Sequence, residues 1–208
     1  MSTLRLTGST SGYTEVTAPA VAGSNTLVLP TGNGTADQAL VTDGSGTLSF
    51  ADRGRMVLET AKSATGTEVD FTSIPSWVKR VTVMLNGVST DGTSTFMLQI
   101  GAGSIEVTDY ISTSSIIDGA QVATASITTG IQLGRNNSAS FASHGLFTLV
   151  TLGSNVWTGS GSFRESTSRT GFGNGSKTLS DTLDRIRITT VNGTNVFDAG
   201  SINLLLEG

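Results

Sequence analysis

The sequence predicts an all-β protein. Only 13% of its 208 residues are charged, and 26 are glycine. β-branched Thr, Val and Ile are abundant, whereas stretches rich in the helix formers Glu, Lys and Leu are scarce. Several short runs alternate apolar and polar residues, and Gly-containing turn dipeptides separate many of them. A chain of this composition favours pleated, half-buried strands over helices.

The first part of the chain, residues 1–51, contains four short apolar runs. Each is too short to bury much surface, and isolated two-stranded pieces are marginal in water. Three identical chains wrapped around an axis supply the missing faces, so we predict an intertwined trimeric segment. A flexible Gly/Ser-rich linker is the alternative, and the regular apolar positions argue against it. The candidate residues for trimer or virion attachment are Leu4, Leu6, Leu27, Leu29, Leu48 and Phe50.

The second part, residues 52–208, has longer runs with one apolar face each. This period of two is typical of antiparallel sheets packed on a core, and we predict a jelly-roll-like β-sandwich. Residues 146–152 are apolar on both faces, as in a strand at the centre of a sandwich or against a neighbouring subunit. The predicted core positions are Val81, Val83, Leu85, Phe96, Leu98, Ile100, Ile186, Ile188, Ile202, Leu204 and Leu206.

Five dipeptides in this part tolerate the positive φ angles of tight turns. They are predicted to separate the strands of the sandwich. They are Asn86-Gly87, Asp91-Gly92, Asp118-Gly119, Asn174-Gly175 and Asn192-Gly193. The Gly-rich stretch 171–177 lacks the spacing of a phosphate-binding loop and is predicted to be a surface loop.

Segments in both parts of the chain carry a family resemblance. Residues 12–19, 25–30 and 37–50, which end in Asp43-Gly44-Ser45-Gly46-Thr47-Leu48-Ser49-Phe50, resemble a module of bacteriophage tail fibres and other virion surface fibres. Residues 70–90 and 197–207 are similar to the opening and the final strand of a C-terminal domain in phage tail fibre proteins. The resemblance covers most of both parts and is weakest over residues 121–175. It implies a fibre architecture rather than an activity, because its motifs carry no chemistry.

Several classes of function are disfavoured. The chain has no cysteine, which excludes disulfides and thiolate ligands, and it favours a homo-oligomer as the source of stability. The net charge of −4 and the scattered 12 basic residues argue against nucleic-acid binding. The N-terminal residues do not form a secretory signal, and no run is long enough to insert into a membrane. Together with these observations, the resemblance to phage fibre proteins implies synthesis in a bacterial host cytoplasm followed by assembly into a virion.

An enzyme needs catalytic groups that this chain supplies sparsely. His144 is the only histidine, and no serine lies in a G-x-S-x-G motif. Glycoside hydrolysis needs two carboxylates. Glu106 with Asp109 and Asp181 with Asp184 are candidate pairs, but such spacing recurs by chance. No spaced Asp series indicates a metal site. We expect no enzymatic activity, no catalytic residues, no metal and no cofactor.

A partly exposed aromatic side chain can stack on a sugar ring, so Trp157 in its polar setting is the better ligand candidate of the two tryptophans. A core position is nevertheless the favoured interpretation for both tryptophans, and Trp77 is predicted to seal one end of the sandwich. The predicted receptor loops are residues 86–95 and 154–175. The candidate receptor contacts are Trp157, Phe163, Arg164, Asn86 and Asp91.

The sequence therefore predicts a non-enzymatic homotrimer of a bacteriophage virion, a tail fibre or tail-fibre tip that attaches to a host-surface glycan or protein. A trimeric head fibre or capsid decoration protein is the first alternative. In both cases other virion proteins of the tail or capsid are partners. A non-catalytic carbohydrate-binding module, expected to be a monomer, is the second alternative.

Overall fold

A computed structural model describes residues 3–21, 23–36, 38–51, 54–135 and 138–208. Every regular element among these residues is a β-strand. The chain forms two compact units, Met1–Arg53 and Gly54–Gly208. The sequence placed the boundary after Ala51, and Asp52 and Arg53 lie outside the described residues.

The N-terminal unit contains two antiparallel hairpins. The first pairs β1 (Thr3–Thr7) with β2 (Tyr13–Thr17), and the second pairs β3 (Ala39–Thr42) with β4 (Leu48–Ala51). A single parallel bridge joins Val28 to Thr47. None of the buried core residues belongs to the described part of this unit. Its hairpins therefore lack the apolar burial that stabilises a small domain.

The described residues of the C-terminal unit form fourteen further strands. The first seven are β5 (Met56–Leu58), β6 (Lys62–Ser63), β7 (Glu68–Thr72), β8 (Arg80–Thr90), β9 (Phe96–Ala102), β10 (Ser104–Ile105) and β11 (Ile111–Asp118). The others are β12 (Gln121–Ile127), β13 (Ile131–Gln132), β14 (Ser143–Gly153), β15 (Val156–Arg164), β16 (Arg169–Thr178), β17 (Arg185–Thr190) and β18 (Phe197–Glu207).

These strands form two antiparallel sheets. The five-stranded sheet has the order β10-β9-β17-β7, with β13 also paired to β9. The nine-stranded sheet has the order β12-β11-β16-β15-β14-β8-β18-β5, with β6 also paired to β18. The first and last strands of this unit, β5 and β18, are neighbours, so its two ends are tied together.

Both sheets contribute to one hydrophobic core, which gives the unit a sandwich-like architecture. Val81, Val83 and Leu85 of β8 face Phe96, Leu98 and Ile100 of β9 from opposite sheets, and all are buried. The period of two predicted these positions correctly, together with Ile186, Ile188, Ile202, Leu204 and Leu206. Trp77 packs partly buried against this core. The all-β class is thus confirmed, while the jelly-roll topology and the trimer stay predictions.

Glycines fill the inner face of two central strands. In β15, Gly159 and Gly161 alternate with outward Ser160, and a Cβ at either glycine would lie within 3 Å of Phe147. In β16, Gly171, Gly173 and Gly175 take the equivalent positions. The predicted surface loop at residues 171–177 is therefore wrong, because small inward residues let this strand pass close to buried side chains.

The predicted turns have different outcomes. Asp118-Gly119 lies at the β11–β12 hairpin turn, and Asn192-Gly193 follows β17 as a turn. Gly87 adopts a φ of 67° inside β8, next to a register shift, which is a bulge rather than a turn. Asn174-Gly175 lies in the middle of β16, so that turn was wrong. The β14–β15 turn uses Ser154 and Asn155, both at positive φ.

Candidate functional site

Trp157 and Phe163, two predicted receptor contacts, are buried. Their exposed fractions are 4% and 1%, and both belong to the core. They lie six residues apart on β15, so the alternation of the strand directs both side chains inward. Neither side chain is available to a ligand on the surface, which corrects the prediction that they contact a receptor.

The other three candidates are exposed, and two of them lie at one end of the nine-stranded sheet. Arg164 ends β15 and pairs with His144 of β14, while the backbone N–H of Gly87, next to Asn86, donates to His144 Nδ1 at 3.2 Å. Asp91 lies farther along, where its carboxylate accepts from Val196 N–H at 2.8 Å. The predicted loop at residues 154–175 is in fact most of the β15–β16 hairpin.

The first N-terminal hairpin has one apolar and one polar face. Leu4 lies opposite Val16, and Leu4, Leu6 and Val16 are 62%, 58% and 64% exposed. On the other face, Arg5 forms a 3.0 Å ion pair with Glu15. The hairpin therefore presents an uncovered apolar stripe of the kind that a partner covers.

The remaining attachment candidates lie around the second hairpin. Leu27 and Leu29 are 67% and 72% exposed, whereas Leu48 and Phe50 are half-buried. Leu29, Leu48 and Phe50 line one depression of about 440 Å³. The sequence thus identified residues that are at least partly accessible, and whether a partner occupies this surface stays a prediction.

The Asp43-Gly44-Ser45-Gly46-Thr47 motif is the turn of the β3–β4 hairpin. The Asp43 carboxylate accepts from Ser45 N–H at 2.7 Å and from Thr47 N–H at 3.1 Å. The hydrogen bond from Ser45 is the main reason that the pKa of Asp43 lies below its usual range. Gly46 has a φ of 97°, and a Cβ there would meet the Thr26 carbonyl at 2.1 Å. The residue types of Asp43 and Gly46 thus have structural roles in this turn.

Glu106, half of one candidate carboxylate pair, belongs to a structural network. Its Oε2 lies 2.8 Å from Lys177 Nζ, and its Oε1 accepts from the Ser180 backbone and hydroxyl at 2.9 and 2.7 Å. Desolvation raises the pKa of Glu106, but hydrogen bonds from Lys177 and Ser180 outweigh it, so the pKa lies below its usual range. A carboxylate held in this way is a poor proton donor at neutral pH.

Glu165 is a buried carboxylate that no sequence motif singled out. It is fully buried, with Oε2 at 3.0 Å from Arg169 Nε and Oε1 accepting from Arg135 N–H at 2.6 Å. Burial raises its pKa. A Cβ on Gly134 or Gly171 would lie 2.3 or 2.2 Å from Glu165 Oε1. The two glycines enclose the carboxylate and leave no room for a substrate.

Two further features, a metal-binding cluster and a membrane-spanning helix, are absent from the described residues. Among the residues that the structure describes, no group of three or more His, Asp or Glu side chains could hold a metal ion. The described residues also contain no helix long and apolar enough to span a bilayer.

The outer face of the nine-stranded sheet, here called the nine-strand face, carries uncharged side chains across its centre. Its exposed apolar residues include Leu146, at 54%, and Ile111, at 75%. Serine, threonine and asparagine lie between them and line two open depressions of about 560 and 420 Å³. From β12 to β5 the nine-strand face comprises Val122, Thr124, Ile111, Thr113, Ser115, Ile117, Phe172, Asn174, Ser176, Thr158, Ser160, Ser162, Leu146, Thr148, Val150, Thr82, Met84, Asn203, Leu205 and Leu58.

The outer face of the five-stranded sheet has the opposite chemistry. Arg187 lies 2.6 Å from Glu68 and 2.7 Å from Asp70, and Arg185 lies 2.7 Å from Asp184. Charged groups of this kind are strongly hydrated and typical of a surface that faces water. The two outer faces of one sandwich therefore differ in charge although both are exposed in the isolated chain.

Comparisons with protein-family models, curated proteins and solved structures gave no match. The resemblance to phage fibre proteins therefore stays a prediction, and function has to be argued from the surfaces described above.

Proposed function

We propose that this chain is a non-enzymatic structural protein of a bacteriophage virion, a homotrimeric tail fibre or tail-fibre tip that attaches to the host surface. In this proposal Met1–Arg53 is the segment that joins three chains and docks on other virion proteins. Gly54–Gly208 is the distal domain, a sandwich of the jelly-roll type. The virion is its location, after synthesis in the cytoplasm of the bacterial host.

The observation that carries the proposal is the uncovered apolar surface of the N-terminal hairpins. Leu4, Leu6 and Leu29 are all more than half exposed, although the unit has the regular strand pairing of a folded segment. Strands that are paired but not packed gain stability when other chains cover them. A permanently assembled virion appendage provides such a setting.

The distal domain supplies a candidate host contact. Asn86, His144 and Arg164 are exposed at one end of the nine-stranded sheet. An amide, an imidazole and a guanidinium offer hydrogen-bond donors to a glycan or a protein. The strand-to-strand connections also support the jelly-roll proposal, since β7, β8 and β9 alternate between the two sheets.

The experiment that tests this function is immunogold electron microscopy. Antibody against Gly54–Gly208 is applied to intact virions of the phage that encodes the chain. Gold on tail appendages is the expected result, and purified protein added to host cells should then reduce infection. Gold over the head would replace the proposal with the capsid decoration alternative, and unlabelled virions would overturn both.

A further inference from the structure

We propose that the nine-strand face is the surface through which the C-terminal units of different copies of this chain contact one another. The inference rests on the proposed homotrimer. It locates a second contact between the chains, in addition to the one proposed for Met1–Arg53. The occupant is another copy of Gly54–Gly208, packed against the face that contains Leu146, Ser160 and Ile117.

The first argument is the absence of charge. Along β14, β15 and β16, the central positions of the nine-strand face are Leu146, Thr148, Ser160, Phe172 and Asn174, and none is ionisable. Ionisable groups lie at the ends of the strands, where the Arg164 and His144 pair occupies one end and the Arg80–Glu207 ion pair the other. A face that is uncharged in its centre and charged at its margins has the composition of an interface core and rim. It also lets the faces of three copies approach a common axis without like-charge repulsion.

The second argument is size. In the order of the sheet, seven strands lie from β12 to β18 inclusive. At about 4.8 Å per strand they give the nine-strand face a width of about 30 Å, and about six residues along each strand give it a height of about 20 Å. This footprint of about 600 Å² excludes the relief of the side chains. A standard-size interface buries about 800 Å² of accessible surface on each partner, so the flat footprint alone supplies about three quarters of that area.

The third argument is the contrast with the other outer face. On the outer face of the five-stranded sheet, Arg187 forms ion pairs with Glu68 and Asp70, and such hydrated charges favour contact with water. On the nine-strand face, Ile111 and Leu58 are 75% and 63% exposed, and the depressions between Thr148, Ser160 and Asn174 can receive side chains of another copy. Exposed hydrophobic patches rimmed by polar groups mark interaction sites.

Cysteine labelling of the full-length chain tests the proposal, because the natural sequence contains no cysteine. Ser160→Cys places a thiol at the centre of the nine-strand face, and Thr72→Cys is the matched control on the charged face. Both positions are exposed strand hydroxyls in the isolated chain. In the assembled protein we expect Ser160→Cys to react with a maleimide at least about tenfold more slowly than Thr72→Cys, with equal rates after denaturation.

A charge substitution provides the second measurement. Ser160→Glu should raise the protein concentration at which light scattering reports about three chains, because only the contact made by the N-terminal segment remains, whereas Thr72→Glu should leave that concentration unchanged. Circular dichroism melting of both variants shows whether each still folds. Equal labelling of the two cysteines, or an unchanged dependence of mass on protein concentration for a folded Ser160→Glu, would overturn the proposal. Either result would leave the virion assignment to be decided by the immunogold experiment.

Discussion

At the scale of single residues, the buried polar groups of the sandwich make its stability sensitive to acid. Lys177 is 6% exposed, and Glu106 is its 2.8 Å ion-pair partner. A buried ammonium that loses its carboxylate partner keeps its desolvation cost. The network therefore stabilises the fold only while Glu106 is ionised.

Glu106→Gln should destabilise the fold by about 2 kcal/mol at neutral pH. The pKa of Glu106 is near 4.5 without its partners and lower in the fold. Its contribution is therefore fully present above pH 4.5 and is lost as the pH falls through the lowered pKa. Thermal melting of both proteins from neutral to acidic pH should show the difference shrinking in acid.

The matched control for that experiment is Glu15→Gln, which removes an exposed ion pair with Arg5 in the other unit. An exposed pair contributes about 0–1 kcal/mol, so melting of the sandwich should not change measurably. If the difference in melting temperature between the wild type and Glu106→Gln stayed constant down to strongly acidic pH, ionisation of Glu106 would make no contribution to the stability of the fold.

At the scale of the strand, β15 shows how glycine permits close packing. A Cβ on Gly161 would lie 2.3 Å from the Leu146 carbonyl and 2.7 Å from Phe147 Cα. Since backbone atoms cannot move aside cheaply, Gly161→Ala should destabilise the sandwich by about 1–3 kcal/mol in denaturant unfolding. Gly32→Ala is the control and should unfold like the wild type, because a Cβ on Gly32 would have no heavy atom within 4 Å apart from those of Gly32 and its chain neighbours. Equal stability of the two variants would contradict the close packing.

The same strand marks the limit of sequence prediction. Val81, Val83 and Leu85 alternate with Thr82 and Met84, and the period of two identified their core positions correctly. In β15 and β16 the inward positions between the aromatic and charged residues are glycines, which produce no hydrophobic period. The available signal was the spacing of two between Gly159 and Gly161.

The candidate site was less predictable than the fold. Trp157 was singled out for its polar sequence neighbours, yet those neighbours face outward while Trp157 faces the core. The nine-strand face combines residues from strands distant in sequence, such as β8, β11 and β16, whose order in the sheet follows from tertiary structure. A local sequence pattern therefore cannot predict which residues share the nine-strand face.

The first N-terminal hairpin is predicted to act as an assembly element. Replacing Leu4 and Leu6 together with serine removes most of its apolar stripe, so we expect weaker self-association and a lower mass in dilute solution. Thr7→Ser on the opposite face is the control. An unchanged mass for the double variant at every concentration would show that the stripe makes no contribution to assembly.

At the scale of the whole molecule, the two units have different sources of stability. Every residue of the hydrophobic core lies between Ala64 and Leu206, and β5 closes the C-terminal unit by pairing with β18. We expect a fragment of residues 54–208 to melt cooperatively, close to the full chain's transition for the sandwich, because it loses none of the core. A fragment of residues 59–208, which lacks β5, is the matched comparison and should melt at a lower temperature. A broad, non-cooperative transition for residues 54–208 would mean that the sandwich depends on the N-terminal unit for its fold.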